Sequence, residues 1–180
     1  MRKLLILSAF VLAVVAMPGT PVWAQADESK VSIVFMGSAV ALDNLNENSN
    51  WEGGFSFGTQ FPFPGLEAKG IHTRLIYSQF NINPDAPMRT IEPSVLIDFY
   101  VGKKWHIWWT AMGVEAYTDG PNNGMNLFTG MGFGRRVLTI GENSNQVGFD
   151  LFMETNFVNA DGESTGNYAD LSLGLKLSKL

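Results

Sequence analysis

The feature that most restricts this chain is an alternation with a period of two. Val147, Phe149, Leu151, Met153 and Phe157 fall on one side of an extended segment. Gly148, Asp150, Glu154 and Asn156 fall on the other, with Phe152 as the exception. Near the end of the chain Leu171, Leu173, Leu175 and Leu177 alternate with Ser172, Gly174, Lys176 and Ser178. Successive side chains of a strand point to opposite faces, whereas a helix places apolar residues three and four apart. Eight strand-sized segments can be read this way: Val31–Leu42, Trp51–Phe61, Ala68–Phe80, Thr90–Val101, Trp105–Tyr117, Met125–Thr139, Val147–Phe157 and Tyr168–Ser178. Their richness in Phe, Trp, Tyr, Val, Ile and Thr suits strands. The expected fold is all-β, an eight-stranded antiparallel up-and-down barrel.

The first 26 residues read differently. Arg2 and Lys3 precede an apolar stretch from Leu4 to Met17, Pro18-Gly19 interrupts it, and Ala24-Gln25-Ala26 offers small residues at −3 and −1. This is the pattern of a secretory signal peptide, with cleavage expected after Ala26. Residues 27–180 then form a single barrel domain. Cleavage removes two cations from a chain whose net charge is already −5. The acidic balance argues against a nucleic-acid partner. With no cysteine, an exported domain of this kind depends on sheet closure and packing rather than on disulfides.

Polar, turn-rich segments separate the strands. Residues 43–50, 81–89, 118–124 and 159–167 form one set, and the mostly shorter 62–67, 102–104 and 141–146 form the other. Connections that alternate long and short put the longer ones at one end of an up-and-down barrel. An even number of strands returns both termini to the other end.

Period two alone does not say which face is inside. Roughly thirty large apolar side chains would overfill an eight-stranded barrel, whose interior is just wide enough for side chains or one small ligand. The polar faces carry Gly54, Gly58, Gly130, Gly132, Gly134, Gly148 and Gly174. Glycine in a narrow lumen leaves room for long charged partners. Aromatic residues gather near strand ends: Trp51, Phe61, Phe63, Phe80, Tyr100, Trp105, Trp108, Trp109, Tyr117, Phe157 and Tyr168. Rings settle at membrane interfaces. The apolar faces are therefore expected outward, towards lipid. Trp105–Tyr117 and Met125–Thr139 alternate less cleanly, and each is expected to hold a bulge that changes phase. Pro93 implies a bulge or weakened pairing.

With that orientation a charge network fills the lumen: Arg74, Glu92, Asp98, Glu115, Asp150, Glu154, Asp170 and Lys176, with His72 and one or both of Arg135 and Arg136. Buried charges must pair or hydrogen-bond. No catalytic constellation emerges. His72 and His106 lack metal-ligand spacing, and Ser78 lies about 20 Å along the strand from His72. "GMGFG" (130–134) is glycine on one strand face, not a phosphate cradle. No cofactor or metal is expected.

A signal peptide, eight amphipathic strands and alternating connections together resemble the small eight-stranded outer-membrane barrels of Gram-negative bacteria. The resemblance spans residues 27–180 and is architectural. It implies an outer-membrane location, a structural or surface-interaction role, lipid around the barrel, a surface partner met through loops 43–50, 81–89, 118–124 and 159–167, and a monomer. Two alternatives share the architecture. One is a soluble periplasmic lipocalin-like barrel holding an apolar ligand, although the "SNWEGG" around Trp51 does not match the early Gly-x-Trp of lipocalins. The other is a lipid-modifying outer-membrane enzyme. The His-x-Ser pair of lipid A deacylases is absent from His72-Thr73-Arg74 and His106-Ile107-Trp108. The amphipathic helix that begins lipid A palmitoyltransferases has no room in 27–30.

Overall fold

The structure, a computed structural model, describes residues 24–25, 31–42, 51–66, 70–81, 87–101, 104–119, 122–142, 146–159 and 168–179. Eight antiparallel strands form it: β1 (Val31–Leu42), β2 (Trp51–Pro62), β3 (Ile71–Phe80), β4 (Met88–Val101), β5 (Trp105–Asp119), β6 (Asn122–Ile140), β7 (Val147–Asn159) and β8 (Tyr168–Lys179). Each pairs with its sequence neighbour, and β1 pairs with β8 from Val31↔Lys179 to Leu42↔Tyr168, which closes the barrel. A two-residue stretch, Ala24–Gln25, also pairs with the end of β4. It lies upstream of the expected cleavage point and takes no part in closure.

The faces divide as the alternation implies. Phe35, Phe55, Phe57, Leu75, Ile107, Phe133, Leu151, Phe157 and Leu173 are exposed on the outer wall, Leu173 at 63%. Ser32, Ser38, Ser56, Arg74, Asp98, Glu154, Ser172, Lys176 and Ser178 are buried on the inner one. Ile71 and Ile97, cross-strand partners, are buried although alternation puts them outside.

Both expected phase changes are present. In β5 one extra residue falls between Thr110 and Gly113, opposite Val95–Leu96 on one side and Thr129 on the other. His106, Trp108 and Thr110 point inward before it; Gly113, Glu115 and Tyr117 point inward after it. The Thr129 hydroxyl bridges this irregularity, donating to the Thr110 carbonyl (2.7 Å) and accepting from the Trp109 indole N–H (3.2 Å). In β6 Val137 is the extra residue between Arg136↔Asp150 and Leu138↔Phe149. At Pro93 the register does not shift; pairing with β5 lapses between Ile91↔Ala116 and Ser94↔Gly113, because proline has no N–H to give.

Three expectations need correction. Residues 118–124 are mostly not a loop: β5 runs to Asp119 and β6 starts at Asn122, with Thr118↔Asn123 and Asp119↔Asn122 paired. The polar composition suggested a loop, yet polar residues continue a ladder where the strands extend past an apolar belt. The alternation of long and short connections therefore fails at 120–121. β3 begins at Ile71 rather than at Ala68, since Gly70 sits in a turn at φ +67°. Before it, Phe63–Leu66 closes as a tight turn through Leu66 N–H to Phe63 O (2.9 Å), with Gly65 at φ +81° behind Pro64. Last, most inward glycines make room for rings rather than for charged chains. A Cβ at Gly54 would collide with Phe80, at Gly113 with Phe128, at Gly124 with Tyr117, at Gly132 with Trp108 and at Gly174 with Phe152. Of the expected interfacial aromatics, Phe80, Trp108 and Tyr117 are thus lumen residues. The side chains of Trp51, Tyr100 and Tyr168 lie outside the description.

Two outcomes follow. Leu173→Arg, on the outer wall near the middle of β8, should cost about 2–4 kcal/mol of folding free energy in lipid, read from urea unfolding in vesicles. Gly132→Val should drive a branched side chain against the Trp108 ring and abolish the heat-modifiable gel band of the folded barrel.

Candidate functional site in the barrel interior

The interior is stacked in layers from the end that holds the termini to the end that holds 43–50. Near the termini, Asp98 is flanked by Lys176 Nζ and His106 Nδ1, both at 3.3 Å. Asp150 receives Arg136 Nε at 2.8 Å and a second guanidinium N–H at 3.1 Å, with Lys176 Nζ and His106 Nε2 each 3.9 Å away. Lys176 therefore links Asp150, its neighbour on the adjacent strand β7, to Asp98, across the lumen on β4. Ser32 and Ser178 share a hydrogen bond of 2.9 Å across the β1–β8 seam. His72 is also buried here.

The middle layer is a fork. Arg74 NH1 and NH2 each donate to one oxygen of Glu154 at 2.5 Å, the bidentate geometry in which guanidinium and carboxylate match best. The Trp108 indole N–H adds a third donor to Glu154 at 2.9 Å and Asn156 Nδ2 a fourth at 3.0 Å. Around the fork pack Val34, Met36, Ile76, Leu96 and Phe152, with Trp108 edge-on to Phe152 at 5.4 Å and 71°. Carboxylate and guanidinium are thus removed from water; four donors saturate Glu154, while the buried Arg74 Nε–H has no hydrogen-bond partner among the described residues.

Towards the loop end, Asn156 donates to Asp170 Oδ1 through its backbone N–H (3.1 Å) and its side-chain N–H (3.2 Å). Glu92 takes hydrogen bonds from the hydroxyls of Ser78 (2.8 Å) and Thr90. Glu115 takes one from Asn126 Nδ2 at 3.1 Å. The Ser38 hydroxyl bonds both Ser172 (2.7 Å) and Ser56 (3.3 Å). Beyond this layer an apolar cap of Phe80, Met88, Tyr117, Phe128 and Val158 covers the lumen.

All eight sequence-predicted residues lie on the inner wall, but not in one continuous network: Asp98, Asp150 and Lys176 form one group, Arg74 and Glu154 reach Asp170 through Asn156, and Glu92 and Glu115 are held by neighbouring hydroxyl and amide groups. Of the paired arginines, Arg136 turns in to Asp150, while Arg135 turns out and lies 5.2 Å from the centre of the Trp105 ring. Sequence reasoning missed Trp108, Asn126, Asn156 and the serine bridges as partners. Asn156 and Ser172 were visible on polar faces. Trp108 was hidden by the phase change in β5, which made an inward ring look like a membrane-interface ring.

The packed interior has little space. A cavity between Val34, Gln60, Arg74, Trp108, Phe152 and Lys176 measures about 10 Å³, at the lower limit for a single water molecule. No group of His, Asp and Glu among the described residues has the arrangement to hold a metal ion. The Ser78 hydroxyl is committed to Glu92.

No protein-family model matches the chain, and no curated relative does. Among solved structures it resembles the neisserial surface protein A (NspA), with a TM-score of 0.53, 11% identity, and coverage of 83% of this chain and 96% of that one. It also matches Ail, the attachment invasion locus protein of Yersinia pestis, with a TM-score of 0.46, 13% identity, and coverage of 83% and 97%. At these identities the likeness is one of fold. The fold is that of the small eight-stranded outer-membrane β-barrels: closed, antiparallel, apolar outside and polar within.

Proposed function

We propose that the chain is an exported outer-membrane barrel that works as a rigid mount. On this reading residues 1–26 are removed, the termini face the periplasm, and 43–50, 81–87 and 160–167 meet the surroundings of the cell. The observation that carries it is the inverted wall. Leu171 and Leu173 are exposed on β8 while Ser172 and Lys176 between and beside them are buried, and the other strands repeat the arrangement. In water that wall would be a continuous apolar patch far beyond what soluble proteins expose. It also opposes the lipocalin-like alternative, because the leucines point away from the lumen and the lumen is already filled.

The packed layers supply the rigidity. Arg74–Glu154 fixes β3 against β7 across the barrel, and Lys176 fixes β8 against β4 and β7. With the apolar cap above them, the lumen is a plug rather than a path for ions. The role then lies in what the loops touch. Structural or adhesive contact is the reading that remains when lumen chemistry is set aside.

Native membrane fractionation tests the proposal. The protein should extract only with detergent and migrate differently in gels before and after boiling; full solubility without detergent would overturn it. In planar bilayers the wild type should show no steady conductance. Arg74→Ala strands Glu154 in the lumen and should lower stability by about 3–5 kcal/mol, measured by urea unfolding in vesicles. Replacing both partners, Arg74→Met with Glu154→Leu, should restore most of that loss.

A further inference from the structure

Among strand residues with described side chains, the charges are segregated by sign. Every carboxylate points inward: Glu92, Asp98, Glu115, Asp150, Glu154 and Asp170. Every outward charge is a cation: Arg89, Arg135 and Lys179. A chain that is acidic overall therefore carries only basic charge on the outward faces of its described strand residues.

Arg135 is the outward cation in the most demanding place. Along β6 it follows Phe133 and precedes Val137, Leu138 and Ile140, all exposed, and it pairs across to the exposed Leu151. A guanidinium facing lipid among such neighbours is costly unless it lies near a headgroup or meets an anion. Its guanidinium carbon lies over the Trp105 ring, 5.2 Å from the centroid, and Trp105 stacks in turn on Phe133 at 6.2 Å and 18°. This holds the guanidinium beside the indole and leaves N–H donors that can meet oxygen atoms. Arg136 N–H donates to the Lys104 carbonyl at 2.6 Å, so Lys104, exposed at the barrel rim, stands level with Arg136 and next in sequence to Trp105, the cross-strand partner of Arg135. Neither Arg135 nor Lys104 has a carboxylate partner among the described residues.

We infer that Lys104, Trp105 and Arg135 form a binding site for the phosphate of an anionic phospholipid in the leaflet nearer the termini. Arg135 takes the phosphate oxygens through its fork, Lys104 adds a point charge, and Trp105 and Phe133 lie along the glycerol and upper acyl region. Phosphate suits a planar fork of donors, and the indole suits the headgroup boundary.

The inference rests on the membrane reading above, and one experiment separates the two. The chain is folded into nanodiscs of phosphatidylcholine with a minor fraction of phosphatidylglycerol. After gentle detergent exchange, the retained lipids are measured by mass spectrometry. The wild type should retain phosphatidylglycerol in excess of its input fraction. Arg135→Gln should lower that excess about fivefold, as expected for one basic residue at an anionic surface, while remaining heat-modifiable. Lys104→Gln, at an exposed turn position, should lower it independently, and Arg135→Lys should retain part of it. A folded wild type without preference, or unchanged retention in both glutamine variants, would overturn the site alone. A chain that fails to insert at all would overturn the membrane reading with it.

Discussion

Closure of β1 on β8 is the constraint on which everything else depends. A strand in hydrocarbon has no water to satisfy its backbone, so a sheet there must have no open edge. Twelve consecutive pairings, from Val31↔Lys179 to Leu42↔Tyr168, remove the edge. Once the sheet closes, each residue has only two places to go, the lipid or the lumen. Alternation then stops being a local preference and becomes a sorting rule for the whole chain.

The lumen of eight strands is narrow, and that explains its contents. Large rings enter only where the facing strand gives up its side chain, as Gly132 does for Trp108 and Gly174 for Phe152. Charges enter only with partners, as Arg74 does with Glu154. Sorting and packing thus reinforce each other: the glycines that would weaken a sheet in water are what let a plugged barrel close. The resulting stack runs from the Asp98–Lys176 layer to the Phe80–Phe128 cap, and it supplies the rigidity that the proposed mount would need.

Much of this was legible in the sequence. The eight strands, the inward carboxylates and the need for phase changes in β5 and β6 follow from alternation and from the size of the interior. What escaped was information that depends on which strand faces which. Arg135 and Arg136 are chemically identical neighbours, and period two separates them, but only the register decides that Arg136 meets Asp150. Glycine was read as space for charge, because the ring that fills the space lies on another strand. The segment 118–124 looked like a loop by composition, although its pairing partners stand within the same segment.

The two bulges show how little is needed to keep the sorting intact. If β5 ran from Thr110 through Gly113 in regular alternation, with no bulge, the part that follows would reverse its faces, and Glu115 would point at lipid while Val114 and Ala116 entered the lumen. If Val137 were a regular strand residue instead of a bulged one, Leu138 and Ile140 would share the inner face with Arg136. In each strand one inserted residue moves a whole half-strand to its proper side, at the cost of an interrupted ladder. In β5 that interruption falls where Thr129 supplies a side-chain hydroxyl to the Thr110 carbonyl, so the exposed backbone acceptor is satisfied without water. The irregular positions are therefore part of the same solution as the regular ones: they reconcile a sequence that must place charge at particular depths with a wall that tolerates charge on one face only.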